Sequence, residues 1–303
     1  MQQSIVERLW LLAMPALFVV LWSTGFVGAK LGLPYAEPFT FLAVRLLIAS
    51  GLLLLVALLM RAPWPRSPRL VLHTAVAGLL VHAIYLSGVF IAIGQGLSAG
   101  VTAIIVAVQP LLTAALAGRL LGERVGPWQW LGLVLGLLGV LLVVWSKLSG
   151  EGSLAGVAAA LVALLAITAG TLYQKRYCPD SDIRTAGAIQ YGVSGLLALI
   201  LAAATETMQI HWTGEFVFAL VWLILVLSVG AVGLLFALIR RGAASRVASL
   251  FYLAPPVTAV FGYLLFGETL DRAALLGLAV VVIGVALVNL PARPAARMAA
   301  AAR

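Results

Sequence analysis

The sequence has few charged residues, few histidines and a single cysteine. Charged residues account for 10% of its 303 residues, whereas an average soluble protein contains about 25%. The lone Cys178 cannot form an internal disulfide, and His73, His82 and His211 lack the spacing of metal ligands. These shortages argue against a soluble globular domain, a disulfide-stapled protein and a metal site, so no metal or cofactor is expected.

Acidic residues are missing from the middle of every apolar segment. The ten in the chain lie in connectors or at helix ends: Glu7, Glu37, Glu123, Glu151, Asp180, Asp182, Glu206, Glu215, Glu268 and Asp271. A carboxylate at mid-depth is the usual relay for protons or sodium ions within a membrane. Coupling of this chain to an ion through a carboxylate is therefore not expected, unless Glu123 or Glu268 lies inside a cavity.

Long apolar runs fill most of the chain. A membrane-spanning helix needs about 20 apolar residues, and runs of suitable length cover residues 9–31, 38–60, 70–93, 97–119, 127–147, 153–174, 185–205, 216–239, 243–266 and 272–290. The sequence therefore predicts an all-α polytopic membrane protein with ten transmembrane helices in a lipid bilayer. The net charge of +9 does not predict nucleic-acid binding, because the basic residues flank the spans.

The distribution of those basic residues predicts an orientation. If the N-terminus is cytoplasmic, 15 Lys and Arg residues fall on the cytoplasmic side and three on the outer side, while Arg45 lies within a span. Basic residues accumulate in the cytoplasmic connectors of membrane proteins. We therefore expect both termini to be cytoplasmic.

The second half of the sequence repeats the first. Residues 97–145 align with residues 242–290 at a constant offset of 145 and without a gap, so that Pro110 meets Pro255. Since each half holds an odd number of predicted helices, five, the halves should insert in opposite orientations. Inverted repeats are typical of secondary transporters, whose solute site lies between the halves. The expected units are residues 1–148, residues 149–291 and a flexible cytoplasmic tail over residues 292–303.

Four short patterns carry a resemblance to a known family. They are Leu21-Trp22-Ser23-Thr24-Gly25-Phe26, Arg45, and the paired segments Leu121-Gly122-Glu123 and Phe266-Gly267-Glu268. With the five-plus-five repeat, they resemble the EamA-type branch of the drug/metabolite transporter superfamily, over about residues 10 to 290. The resemblance implies a bacterial-type inner-membrane exporter of small metabolites, often amino acids. It also implies alternating access through a central cavity lined by helices 1, 3, 4, 6, 8 and 9.

Polar and aromatic residues on those helices are the candidate substrate-binding residues. His82 shares a helix face with Tyr85, and Gln109 shares one with Thr113. Both patterns also fit ordinary hydrogen bonding between packed helices. The full predicted set is Trp22, Phe26, His82, Tyr85, Gln109, Thr113, Tyr173 and Tyr252.

A second group of residues is expected to act in structure or gating. Its members are Arg45, Pro110, Glu123, Pro255, Pro256 and Glu268. The prolines remove backbone donors and should kink the fourth and ninth spans. A charge such as Arg45 needs a partner or a water-filled vestibule. We favour a structural ion pair, with Glu268 as the candidate partner, and the alternative is attraction of an anionic solute.

Small residues on the fifth span offer a packing surface. Gly132, Gly136 and Gly139 form a ridge that allows close helix approach. The ridge fits packing within the chain, and the alternative is a homodimer through small-residue helix faces.

Beside export of amino acids or similar small-molecule solutes, a membrane scaffold without transport is one alternative, which a sealed bundle without a cavity would favour. Two further rival functions remain. One is export of drugs or other apolar solutes. The other is an intramembrane enzyme, since Gly192-Val193-Ser194-Gly195 resembles a serine-protease segment. Catalysis would need a histidine base on a neighbouring helix, and His211 lies in the following connector. An enzyme is therefore not expected.

Overall fold

A computed structural model describes residues 5–120, 127–148, 153–179, 181–231, 234 and 253–288. The regular structure of these residues is helical, which confirms the all-α prediction. The helices are α1 (Ile5–Gly32), α2 (Pro38–Leu59), α3 (Pro68–Gly78), α4 (Tyr85–Gly94), α5 (Ala99–Val106), α6 (Gln109–Leu120), α7 (Pro127–Leu148), α8 (Leu154–Tyr177), α9 (Ile183–Thr205), α10 (Gly214–Val221), α11 (Ala254–Phe266) and α12 (Arg272–Val288). Two π-helical segments, π1 (Leu79–Ile84) and π2 (Trp222–Ala231), follow α3 and α10.

Several helices have the length and composition to cross a membrane. Five do so clearly: Ala13–Gly32, Pro38–Leu59, Pro68–Gly94, Leu154–Tyr177 and Ile183–Thr205. Shorter apolar helical stretches cover Ala99–Thr113, Trp130–Val143, Gly214–Ser228, Ala254–Phe266 and Arg272–Gly284. Large apolar side chains cover their outer surface, as at Leu59 (75% exposed) and Trp145 (70% exposed). An apolar exterior is what a lipid environment favours.

Two helical stretches, Pro68–Gly94 and residues 99–120, are not uniform α-helix. Between α3 and α4, π1 inserts a wider turn that carries His82, and such π-helical turns occur often at functional sites. Between Val106 and Gln109 the α-helix is interrupted, one turn before Pro110. This interruption has the expected physical cause, because proline removes an N–H and its ring crowds the preceding turn. It agrees with the kink predicted for the fourth span.

The helices pack in pairs across the chain. The closest associations join α2 with α9 and α7 with α12. Around them, α1 contacts π2 and α11, whereas α8 contacts α3, π1, α4 and α6, and α5 contacts α11. A first apolar core lies among α1, α2, α4 and α9 and includes Phe26, Phe41 and Phe90. The polar cluster described below is embedded at the edge of this core.

The predicted glycine ridge on α7 packs against α12 of the same chain. A Cβ atom at Gly139 would lie 2.7 Å from the carbonyl oxygen of Gly277, and one at Gly284 would lie 2.6 Å from the carbonyl oxygen of Gly132. The backbones therefore meet almost directly, which only residues without a side chain permit. Packing within the chain occupies this ridge.

Carboxylates fasten one end of the α2–α9 pair. Glu206 accepts hydrogen bonds from the backbone N–H groups of Phe39 and Thr40 and from the Thr40 hydroxyl, each at 2.7 Å. Glu37 accepts in turn from the N–H and hydroxyl of Thr207, both at 2.7 Å. The first of these contacts supplies acceptors to the free N–H groups at the start of α2. The register of α2 against α9 is thereby fixed, with Leu47 against Gly195 and Ser50 against Gly192.

Candidate functional site

A buried arginine lies at the centre of the candidate site. Arg45, in the middle of the α2–α9 contact, is 4% exposed. Its guanidinium carbon lies 6.0 Å from the centre of the Phe90 ring, and the hydroxyls of Tyr85 and Tyr191 are within electrostatic reach. Its Nε atom is buried and has no hydrogen-bond partner. The arrangement is a cation enclosed by aromatic rings and hydroxyls.

His82 faces the same cluster from π1. Its Nε2 atom lies 3.2 Å from Oε1 of Gln190, a hydrogen bond when Nε2 carries the proton. The His82 ring also contacts the Tyr191 ring, with centroids 4.3 Å apart. Gln190 and Tyr191 are both buried on α9. His82 is therefore held by partners on α9, in the second half of the chain, and lies within electrostatic reach of Arg45.

Two of the predicted residues, Tyr85 and Phe26, join this region. Tyr85 is half-buried and packs against the apolar core that contains Phe26, Phe90 and Tyr191. Arg45 was predicted to be structural and His82 and Tyr85 to bind substrate, yet the structure places both His82 and Tyr85 within electrostatic reach of Arg45. The arrangement combines a positive charge, hydrogen-bonding groups and aromatic surface.

A second polar group lies between α6 and α8. The side-chain nitrogen of Gln109 donates to the hydroxyl of Thr113 at 3.1 Å and to the hydroxyl of Thr171 at 3.2 Å. The predicted polar stripe on the fourth span thus makes contact with a neighbouring helix. The donor is satisfied by the protein in this conformation, so a solute would bind here by exchanging those bonds.

Tyr173 lies elsewhere in the fold. Its hydroxyl is 2.7 Å from Nδ1 of His73, and the His73 ring stacks on Tyr177 with centroids 4.6 Å apart. These residues join α3 to the last turns of α8. Trp22 packs against Phe18 on its own helix, with ring centroids 5.6 Å apart. Trp22 and Tyr173 therefore each have an aromatic neighbour other than the residues around Arg45.

Some predicted residues lie outside the described part of the chain. Tyr252 and Glu123 are among them. Pro255 and Pro256 begin α11, and the residues that would precede them in a kinked helix, up to position 252, are also outside it. Their predicted roles stay predictions.

The expected partner of Glu268 is wrong. Glu268 forms an ion pair with Lys30 rather than with Arg45, and its Oε1 atom also accepts from the backbone N–H of Ala99 at 3.0 Å. The end of α1 brings Lys30 to the first residue of α5, where an N-terminal helix dipole favours a negative charge. Arg45 lies on α2 and is left with its aromatic neighbours.

Two other side chains with reactive groups are structurally engaged. Ser194 is buried and donates to the carbonyl oxygen of Gly78 at 2.9 Å, which fastens α9 to α3. The Cys178 thiol is buried beside Thr74, with Sγ and Oγ1 3.9 Å apart, and burial raises the pKa of this thiol. Within the described ranges, no three metal-ligating side chains converge. These surroundings favour packing roles for Ser194 and Cys178.

An apolar groove of about 320 Å³ opens between α1, α10, π2 and α11. Its lining includes Val27, Leu31, Phe218, Phe261 and Phe266. The Thr24 hydroxyl, which accepts from the Trp222 indole at 2.9 Å, is among its few polar groups. The groove therefore suits an apolar occupant.

Sequence comparisons match the whole chain to transporters. The sequence profile of the EamA-like transporter family matches residues 8–145 and again residues 154–290. The uncharacterized transporter YvbV of Bacillus subtilis is 31% identical over 280 residues, 90% of each chain. The uncharacterized inner membrane transporter YedA of Escherichia coli is 31% identical over 293 residues, 93% of this chain and 92% of that protein.

A more distant relative and a solved structure extend the comparison. A probable amino-acid metabolite efflux pump of Salmonella typhimurium is 28% identical over 280 residues, 88% of this chain and 91% of the pump. A solved crystal structure shares the fold with a TM-score of 0.62 at 18% identity, over 90% of this chain and 94% of the other. The resemblance found in the sequence is confirmed, and the chain belongs to the EamA-like transporter family of multi-pass membrane proteins.

Proposed function

We propose that this protein exports amino acids or similar small metabolites by alternating access, without acting as an enzyme. The observation that carries the proposal is the buried cluster of Arg45, His82, Gln190 and Tyr191. Burying polar and charged side chains inside a membrane bundle costs free energy, and such side chains mark solute pathways there. A family relative named as a probable amino-acid metabolite efflux pump supports the choice of solute.

The proposed mechanism uses two inverted repeats, residues 1–148 and 149–291, with five spans each. Helix contacts support this pairing. The contacts of α1 with π2 and α11 are matched in the second half by the contacts of α8 with π1 and α6. The pairs α2–α9, α7–α12 and α5–α11 each join equivalent spans of the two halves. Such symmetry allows one half-bundle to rock against the other around a fixed site.

The proposed setting is a bacterial-type inner membrane with both termini in the cytoplasm, and residues 292–303 form a cytoplasmic tail. The excess of basic residues on that side supports this orientation. A homodimer is part of the proposal only through faces other than the α7 ridge, because α12 already covers that ridge.

The test is efflux from proteoliposomes that are loaded with single radiolabelled amino acids. Saturable efflux of a subset, at least tenfold faster than from liposomes without protein, is the expected result. The His82→Ala variant should slow it, while the exposed-loop variant Gln209→Ala should not. Failure to release any amino acid would contradict this solute class.

Export of apolar solutes is a second candidate, and the groove lined by Phe218, Phe261 and Phe266 favours it. The same liposomes can be loaded with ethidium, a planar aromatic dye with one positive charge that represents drug-like aromatic solutes. Protein-dependent release of ethidium that Phe261→Ala slows, without release of amino acids, would support this second function.

A further inference from the structure

Among the residues that the structure describes, Arg45 is a buried cation without a carboxylate partner. Its Nε atom makes no hydrogen bond, and no ion pair or hydrogen bond to its guanidinium occurs within the described ranges. The acidic side chains of this part of the chain that lie near helix ends have other partners, as Glu268 has Lys30 and Glu206 has Thr40. The charge is therefore not balanced by any acidic side chain in the described part of the chain.

The surroundings of Arg45 interact with the cation without neutralising it. The Phe90 ring lies 6.0 Å from the guanidinium carbon and offers a weak cation–π contact. Tyr85 and Tyr191 bring hydroxyls, and His82 lies within electrostatic reach. Breaking or omitting the partner of a buried charge is strongly destabilising. A charge kept in such a place points to a ligand that supplies the missing anion.

We infer that Arg45 binds the carboxylate of the transported solute. A guanidinium can form two parallel hydrogen bonds to a carboxylate, which makes it the side chain best suited to this group. The remainder of the solute would contact Phe90, Tyr85 and Tyr191, which are aromatic. The solute class is then a small monocarboxylate with an apolar or aromatic remainder, and amino acids belong to it. This inference rests on the proposed function and assigns the group that recognises the solute.

A phosphate-bearing solute fits this cluster less well. A phosphate usually requires more than one cation, and Arg45 is the one Lys or Arg of the described residues that lies well inside a span. Lys30, in the last turn of α1, is engaged with Glu268. The remaining basic residues of the described part lie in connectors or at helix ends, by their positions in the sequence. One guanidinium matches one carboxylate.

The test compares acids with their neutral amides on the purified full-length protein in detergent. The probes are propionate, isovalerate and 3-phenylpropionate, each beside its amide, and the readout is the shift in melting temperature with probe concentration. Amide and acid have nearly the same shape, so a difference between them reports the charge. At least one acid should stabilise the wild type while its amide does so at least about 100-fold more weakly in Kd, as for other desolvated charge pairs.

Three variants separate recognition from structure. Arg45→Met should lose the response to the acid, and its melting temperature without probe should not fall, because an unpaired charge has been removed. Arg45→Lys should retain a weaker response to the acid. Arg66→Gln removes an exposed arginine of a connector and should behave as the wild type.

Several results would overturn the inference. The first is that acid and amide stabilise the wild type equally. The second is that none of the three acids stabilises it. The third is that Arg45→Met binds the acid as the wild type does. If Arg45→Met does not fold, the acid–amide comparison on the wild type and on Arg45→Lys still decides. If amino acids are exported but acids and amides bind equally well, the role of Arg45 is refuted and the transport proposal stands. If acids bind through Arg45 but no amino acid is exported, the role of Arg45 stands and the transport proposal is refuted.

Discussion

Lys30 and Glu268 form an ion pair although 238 residues separate them in the sequence. Lys30 is in the last turn of α1, and Glu268 follows α11 and also accepts from the N–H of Ala99 at the start of α5. Three spans thus meet at one carboxylate, whose side chain is 8% exposed. This contact lies at the end of the bundle that the charge distribution assigns to the outer side.

Removing this ion pair should loosen the end of the bundle. Glu268→Gln is expected to lower the free energy of unfolding by about 1–3 kcal/mol, less than for a fully buried pair because Lys30 is partly exposed. The double variant Lys30→Gln with Glu268→Gln should lose less than the sum of the single losses. Thermal unfolding in detergent measures all three, and strictly additive losses would show that the two side chains do not interact.

The hydrogen bond between His82 and Gln190 should matter for transport. His82→Ala removes it and leaves the buried Gln190 carbonyl without its partner, so kcat/KM for efflux should fall about tenfold. Gln190→Leu should have a similar effect, and the double variant should be no worse than either single one. The control is His211→Ala, because His211 is exposed in a connector. If the double variant lowered kcat/KM by the product of the two single reductions, the two side chains would act independently and the shared role would be contradicted.

The contact between α6 and α8 through Thr171 offers a matched pair of variants. Thr171 and Thr205 each donate to the carbonyl four residues earlier at 2.7 Å, but Thr171 also accepts from Gln109, while Thr205 is exposed. Thr171→Val should slow efflux several-fold with a loss of stability below about 1 kcal/mol, as for other hydrogen bonds between membrane helices. Thr205→Val should change neither quantity. Equal behaviour of the two variants would assign Gln109 no part in transport.

The backbone contact between α7 and α12 predicts sensitivity to a single methyl group. At Gly139 a Cβ atom would meet Gly277 and Val281 at 2.7 Å, so Gly139→Ala should destabilise the protein by about 1–3 kcal/mol. Gly51→Ala is the control, since no atom lies within 4 Å of the added Cβ. Melting temperatures of the two variants compare them, and a harmless Gly139→Ala would mean that α7 and α12 separate easily.

The orientation is open to a direct test. Fusions of green fluorescent protein and alkaline phosphatase to the C-terminus distinguish the two sides of an inner membrane, because each is active on one side only. Fluorescence without phosphatase activity is the predicted outcome, with fusions after residue 34 or 150 as the opposite control. Phosphatase activity at the C-terminus would overturn the assignment based on basic residues.

The fold was largely predictable from the sequence because a bilayer imposes simple requirements. Apolar runs of about 20 residues become helices since backbone groups have no other partners in lipid. Pro110 likewise predicted an interruption of its span, and the structure places a break at Val106–Gln109. The π-helical turn at His82 was not predicted, since Gly78 directly before it is a weak signal and glycine is common in transmembrane helices.

The candidate site was harder to predict than the fold. His82 and Tyr85 could be named because polar residues are rare on apolar helices. Gln190 and Tyr191 were not predicted, because their contacts with His82 join residues more than 100 positions apart, which local sequence patterns do not reveal. The partner of Glu268 could not be identified from depth alone. Lys30 and Arg45 were both expected near Glu268 by their position along the membrane, and only the packing of the helices shows that Lys30 is the partner.

The most direct test of alternating access at this cluster is the accessibility of position 85 to water. Tyr85→Cys in a Cys178→Ser background, reconstituted in liposomes, would be treated with a water-soluble thiol reagent with and without an exported amino acid. We expect the reagent to modify the cysteine at position 85, and the amino acid to slow this modification. The neighbouring Ile84→Cys should not be modified, because Ile84 lies on the apolar outer surface that faces lipid. Position 85 would contradict the account if it reacted only with lipid-soluble reagents and without any effect of the amino acid.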